Sequence, residues 1–245
     1  MMIWLIFLII MVILLIFLAV RPMKIPREQG REGPQEGDAV KAYDLTSRWP
    51  VFSIERWIIL RQMIKDKPQG RLLDIGCGPG FLAAAISRRF KNNSIIGLDI
   101  NRQMLDIAEK RWPKTLNPNL SFLSSNAQQL PFADKTVDYV VSSLSLHHWQ
   151  NPEMVFQEIY RVLKPGGTFF IFDLRRDGPR HVYYLLKIGQ ALAAPKAIKE
   201  NNGADGSFWS SYTLTETENM LAKIPFQRWE LDNWFPLLIV RGHVK

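Results

Sequence analysis

The run LLDIGCGPG, Leu72 to Gly80, limits what this chain can fold into more than any other stretch. A short apolar segment of strand character runs directly into three glycines at alternate positions, and a helical stretch, 81–90, opens at once. Glycine at a strand-to-helix junction lets another group approach the backbone closely, and in a doubly wound sheet that junction is where a nucleotide-like ligand sits. A dinucleotide loop spaces its glycines G-x-G-x-x-G, with the third inside the helix. Here the spacing is G-x-G-x-G, stiffened by Pro79, and no lysine follows as in a triphosphate-binding loop. The pattern asks for a nucleoside whose tail is smaller than a pyrophosphate, and helix amides beyond the loop favour a carboxylate on that tail.

The rest of the body fits such a sheet. RLLDI, SIIGLDI, LSFLSS, DYVVSS and TFFIFD read as strands buried on both faces, and helical stretches at 81–90, 102–111 and 152–163 separate them. The third helix is capped by Asn151 with Pro152 at its first position, and it stops before Lys164-Pro165-Gly166-Gly167. RWELDNW and LLIVRGHVK follow too closely for a helix between them, so they should pair antiparallel. The expectation is an α/β fold: a doubly wound, mostly parallel seven-stranded sheet of Rossmann type with a C-terminal antiparallel hairpin. Asp99 ends the second strand, where an acidic group accepts hydrogen bonds from both hydroxyls of a ribose. Asn126 and Ala127 follow the third, where an amide can read an adenine edge. Adenosine with a short amino-acid tail satisfies all of these demands, which describes S-adenosylmethionine.

In order and spacing, LLDIGCGPG, LDI, NAQQLPF, DYVVSSLSLHHW and RVLKPGG resemble the class I S-adenosylmethionine-dependent methyltransferases, in the group that includes the ubiquinone and menaquinone C-methyltransferases. The resemblance covers about Leu72 to Gly167. It implies close backbone approach to the cofactor at Gly76, Cys77, Gly78 and Gly80. It gives Asp74 the loop and the amino group of the methionine, and Asp99 the ribose. Ile100 and Met104 line the adenine side, Asn126, Ala127 and Gln128 meet the base, and Ser143 meets the methionine portion. Asn126 departs from the aspartate common in that family, although its amide oxygen can still accept from the adenine amino group. Tyr43, in AYDLTSRW, resembles the N-terminal segment that closes over the cofactor. Glycines set by turn geometry alone, and Asp99 as a plain helix cap, are the bland alternatives.

Methyl transfer is an in-line displacement, and its main demand is alignment, with a base needed only where the acceptor must lose a proton. His148, after the fourth strand, and Asp173, ending the fifth, are the candidate catalytic groups; His148 as a packed loop anchor is the rival reading. The pair His147-His148 has no further ligands near it in sequence, so no metal is expected. The basic run LRRDGPRH, with Arg175, Arg176, Arg180 and His181, suits either a phosphate-bearing acceptor or a solvated loop. A helical insert, 179–199, is apolar and basic by turns, which favours a lipid-like acceptor.

The first twenty residues, Met1 to Val20, are uniformly apolar and long enough as a helix to span ~30 Å. A cleaved signal peptide would have a basic start, which is missing. The expected organisation is a transmembrane anchor at 1–20, a flexible linker at 21–40 and a methyltransferase domain at 41–245. Arg21, Lys24, Arg27 and Arg31 behind the helix predict a single-pass membrane protein with its catalytic domain in the cytoplasm. The formal charge of +8 favours acidic partners, but no basic stripe is interleaved with aromatics, which argues against nucleic acid. The single cysteine, Cys77, excludes an internal disulfide. Three functions fit: methylation of a small hydrophobic or lipid-like acceptor, methylation of protein or RNA, and a non-catalytic cofactor-binding scaffold. Neither the acceptor nor the oligomeric state is legible.

Overall fold

The computed structural model describes residues 2–19, 26–30, 36–200, 203–234 and 237–245. Five parallel strands, β1 (Arg71–Ile75), β2 (Ser94–Asp99), β3 (Leu120–Ser124), β4 (Val137–Ser143) and β5 (Leu163–Leu174), are joined by β6 (Arg228–Trp234) and β7 (Leu237–His243). The sheet order is β3-β2-β1-β4-β5-β7-β6. β7 runs antiparallel to both β5 and β6, as two closely spaced strands without a crossover helix require. The expected seven-stranded, mostly parallel sheet is what forms.

Alternation along the strands sorts the core onto two faces. Leu73, Ile75, Val140, Phe169 and Ile171 pack on one side with α6 (Pro152–Val162). Leu72, Tyr139, Val141, Phe170 and Phe172 pack on the other with α4 (Phe81–Arg89) and α3 (Pro50–Asp66). α5 (Arg102–Arg111) links β2 to β3, and Asn101 caps it by accepting from the Met104 amide. Asn151 does the same for α6 through Met154. One boundary moves: β5 starts at Leu163, so Lys164-Pro165-Gly166-Gly167 lies inside the strand, with its register to β4 shifting between Val137 and Tyr139. The insert after β5 forms α7 (Arg180–Ala193) and α8 (Lys196–Glu200), and then α9 (Gly203–Ser210) and α10 (Leu214–Leu221) precede the hairpin.

The N-terminal expectation needs correction. α1 (Met2–Ala19) is an apolar helix of 18 residues, about 27 Å at ~1.5 Å per residue, whereas a span requires ~20 residues and ~30 Å. No helix among the described residues is long and apolar enough to cross a membrane. The single-pass anchor and the cytoplasmic placement that rested on it are therefore withdrawn. Of the basic residues used to orient it, Arg21, Lys24 and Arg31 lie outside the described residues. So does half of the expected linker; of its described parts, 26–30 packs on the body and 36–40 runs into α2 (Asp38–Thr46). Arg27 donates through Nε to the Ser210 carbonyl at 2.7 Å and through Nη2 to the His147 carbonyl at 3.2 Å. Its guanidinium also lies 4.0 Å from the Tyr212 ring centroid.

Candidate active site

The parallel strands all point their C-terminal ends at one crevice, where β1 and β4 are neighbours and the chain on either side leaves the sheet in opposite directions. The glycine loop after β1 forms the floor of that crevice. The Gly76 and Cys77 amides both donate to the Leu98 carbonyl, at 2.8 and 2.9 Å, which ties the loop to the end of β2. The Gly78 amide donates to Asp99 Oδ2 at 2.7 Å. These three amides are committed inside the protein, so the loop holds no open nest for a phosphate. Gly76 (φ 73°) and Gly78 (φ 51°) adopt the left-handed backbone that side chains resist.

The crevice holds two connected cavities. The larger, about 370 Å³, runs from Asp99, Ile100 and Met104 past Asn126, Ala127 and Gln128 to His148. The smaller, about 60 Å³, is enclosed by Glu55, Arg56, Asp74, Cys77 and Ser143, among others. Tyr43, Gly76, Gly78 and Leu144 border both and form the neck between them. The wide lobe has the proportions of a nucleoside, and the narrow one those of an amino-acid tail.

Of the residues expected from the sequence, all but Gly80 and Asp173 border these cavities. Gly80 sits behind the floor, so close to Phe122 that an added β-carbon would fall 2.7 Å from its ring. Asp173 is buried and belongs to a different contact: His147 Nδ1 lies 2.6 Å from Asp173 Oδ1, and the His147 amide donates to Oδ2 at 3.1 Å. The neighbouring histidine, His148, is the one that reaches the cavity, and the two rings lie 4.2 Å apart. Arg175 and Arg176 are buried and paired internally, with Asp177 and Glu216, so this basic pair is not offered to an acceptor. Arg180 has no described side chain. No group of three or more metal-ligating side chains occurs among the described residues.

Electrostatics distinguish the two lobes. Asp99 is raised above the usual carboxylate range by burial, an effect that the amides of Asn101 and Gly78 oppose. Its oxygens accept backbone hydrogen bonds from Gly78 and, at 2.8 Å, from Asn101, the Ile100 amide adds a third, and part of the carboxylate's accepting capacity remains. Asn126 Oδ1 accepts from the Gln128 amide at 2.9 Å and from Gln128 Nε2 at 3.5 Å, so its carbonyl is occupied by its own loop and its NH₂ group is what remains for a base edge. In the narrow lobe, burial first, then the charges of Glu55 and Asp99, push Asp74 up to about 8, and its Oδ2 has no hydrogen-bond partner among the described residues. Sequence reading missed Glu55. Burial raises it to about 7, against the Ser143 hydroxyl that donates to it. Its spacing was a usable signal, because Glu55, Ile59 and Met63 share one stripe of α3, and the last two are fully buried.

Comparison with known proteins follows this geometry. Residues 73–171 match a family model described as "Methyltransferase domain". A malonyl-[acyl-carrier protein] O-methyltransferase from Marinomonas sp. is 31% identical over 57% of this chain and 50% of its own length. A ubiquinone/menaquinone biosynthesis C-methyltransferase from Desulfotalea psychrophila is 30% identical over 62% of this chain and 64% of its own. The chain thus spans less than two thirds of either relative. The solved structure of a SAM-dependent methyltransferase from Aquifex aeolicus superposes with a TM-score of 0.64 at 18% identity, covering 86% of this chain and 100% of that one. Over residues 73–171 the chain is therefore similar to methyltransferase domains, those of the relatives just named among them.

Proposed function

We propose that the chain, through a unit extending over 41–245, transfers a methyl group from S-adenosylmethionine to a small, hydrophobic or lipid-like acceptor. The observation that carries the cofactor half is the buried, unpartnered Asp74 oxygen in the narrow lobe, opposite a wide lobe walled by Asp99 and Asn126. A buried acceptor without a donor is costly, by about 1–3 kcal/mol, and an ammonium group removes that cost. Asp74 would hold the amino group, the remaining accepting capacity of Asp99 the ribose, and the Asn126 NH₂ group an adenine ring nitrogen. Ile100 and Met104 supply apolar contact, and Gly76 and Gly78 leave room where a side chain would fill the neck. The cofactor supplies an electrophilic methyl carbon on a sulfonium, with a thioether as leaving group.

What remains for the protein is to place the acceptor's nucleophilic atom and, where that atom carries a proton, to remove it. His148 borders the wide lobe beside Trp149 and Val155, so it can take a proton at the edge of an apolar wall. The lipid-like acceptor rests on that wall and on the names of the two relatives, whose acceptors are a malonyl group on a carrier protein and precursors of quinones. Incubating the purified protein with methyl-labelled S-adenosylmethionine and fractionated cell extract tests it. Label in an organic-soluble small molecule is the expected result; label confined to protein or RNA would replace the acceptor class.

A further inference from the structure

Resting on the cofactor reading above, we propose that Glu55 completes the amino-acid end of the site: with Asp74 it forms a carboxyl pair that takes the cofactor's ammonium group, and uptake drives protons off that pair. The geometry is the ground for this. Glu55 comes from α3, outside the sheet, and enters the same narrow lobe that Asp74 enters from β1. The Ser143 hydroxyl, on β4, donates to Glu55 Oε1 and so fixes the carboxyl in the lobe. Asp74 Oδ2 lacks any hydrogen-bond partner there. Two carboxyl groups lining one small lobe oppose each other's ionisation unless a cation lies between them.

The charges around the pair do not supply that cation. Arg56, next on α3 and bordering the same lobe, attracts Glu55, but burial outweighs that attraction and its Nη1 and Nη2 donate to the Ser47 carbonyl and the Ser53 hydroxyl, not to either carboxyl. Asp173, from β5, repels Glu55 and is engaged by His147. Asp99, from β2, repels Asp74, and the Cys77 thiol beside it is held protonated by burial and the same carboxylates. Burial is the largest influence on both members, leaving Glu55 at about 7 and Asp74 at about 8. Both therefore carry protons in the free protein near pH 6. A bound ammonium favours the ionised form, so binding expels protons and tightens as pH rises. The pair also makes the narrow lobe selective for a positively charged tail.

Titration calorimetry with S-adenosylhomocysteine, in buffers of different ionisation enthalpy, counts the protons. For the natural protein, affinity should rise at least tenfold between about pH 6 and 7.5, with about one proton or more released per ligand. Methylthioadenosine, which keeps the nucleoside but lacks the amino acid, should bind with no proton release and a flat pH profile. Glu55→Gln should weaken S-adenosylhomocysteine roughly tenfold near pH 7.5 and cut the proton count, whereas Glu55→Asp should retain release. A flat profile for S-adenosylhomocysteine, or an unchanged proton count in Glu55→Gln, overturns the inference and leaves the cofactor reading standing. If neither nucleoside binds, the cofactor reading itself fails. The comparison of the two ligands uses the natural protein alone, so it does not depend on how the variants fold.

Discussion

Gly76 and Gly78 stand two residues apart in one loop, yet substituting each by alanine should have opposite consequences. Both have positive φ, so an alanine at either costs about 1–2 kcal/mol in backbone energy. At Gly76 the new β-carbon would lie 2.1 Å from Ser145 Oγ and 2.6 Å from its Cβ. Ser145 has little freedom to retreat, because its hydroxyl accepts the Trp149 indole N–H at 3.1 Å. Overpacking adds roughly 1–3 kcal/mol, which brings Gly76→Ala to about 2–5 kcal/mol of a total stability of ~5–15 kcal/mol. At Gly78 the nearest atom is Tyr43 Cε1 at 3.7 Å, an ordinary contact. Only the backbone cost of about 1–2 kcal/mol remains, but the methyl group stands in the neck where Tyr43 and Gly78 border both lobes. Gly78→Ala should therefore fold and lose at least tenfold in affinity for S-adenosylhomocysteine, about 1.4 kcal/mol. Urea unfolding at constant m, paired with calorimetric titration, separates the two effects. Equal destabilisation by the two alanines, or normal binding by Gly78→Ala, would refute this account of the loop.

Arg27→Ala removes charged hydrogen bonds to the Ser210 and His147 carbonyls and the stacking over Tyr212, so unfolding should show a loss of about 2–3 kcal/mol. Because Gln29 also donates to the Gln150 carbonyl on the cavity wall, turnover should fall while cofactor affinity, read by calorimetry, stays put. His148→Gln should lower kcat without moving cofactor affinity or unfolding. Asp173→Asn, which disrupts a buried contact to His147, should cost about 1–3 kcal/mol of stability by denaturant titration. A stable but inactive Asp173→Asn would reverse the assignment of these two residues.

The parallel sheet and the glycine loop at its crevice were legible because each strand is a continuous apolar run and the turns carry their own chemistry, as at Gly76 and Asn151. The position of Asp173 was not, since period alone brings it to a strand end without saying which neighbour will claim it; the Leu146–His148 turn presents His147 inward and His148 to the cavity. Arg175 and Arg176 read as free charge because their partners, Asp177 and Glu216, meet them only through a local turn and a helix placed forty residues on. That helix was itself signalled by Thr213 and Glu216, which cap it reciprocally. At 26–30, one of the two described stretches of the linker, composition suggested flexibility, but the charge of Arg27 found buried carbonyls and an aromatic face instead.

These misreadings share a cause with the site's chemistry. A charged residue in an apolar context reads as surface when its partner is distant in sequence, as Glu216 is from Arg176. A carboxyl whose folded pKa is raised binds its proton more tightly folded than unfolded. It therefore takes stability away as pH climbs from the ordinary carboxylate range toward about 7 for Glu55 and about 8 for Asp74. Asp44 works in the opposite sense: burial raises it, but hydrogen bonds from Arg111 and Arg48 outweigh burial and leave it lowered. Its contribution is present at neutral pH and lost in acid. Asp44, paired with two arginines, thus holds the fold, whereas Asp74 in the narrow lobe keeps one oxygen without a hydrogen-bond partner among the described residues. If the proposed ammonium binds there, it restores the stability that Asp74 and Glu55 subtract, so affinity for a charged tail and instability of the lobe are one free energy counted in two states.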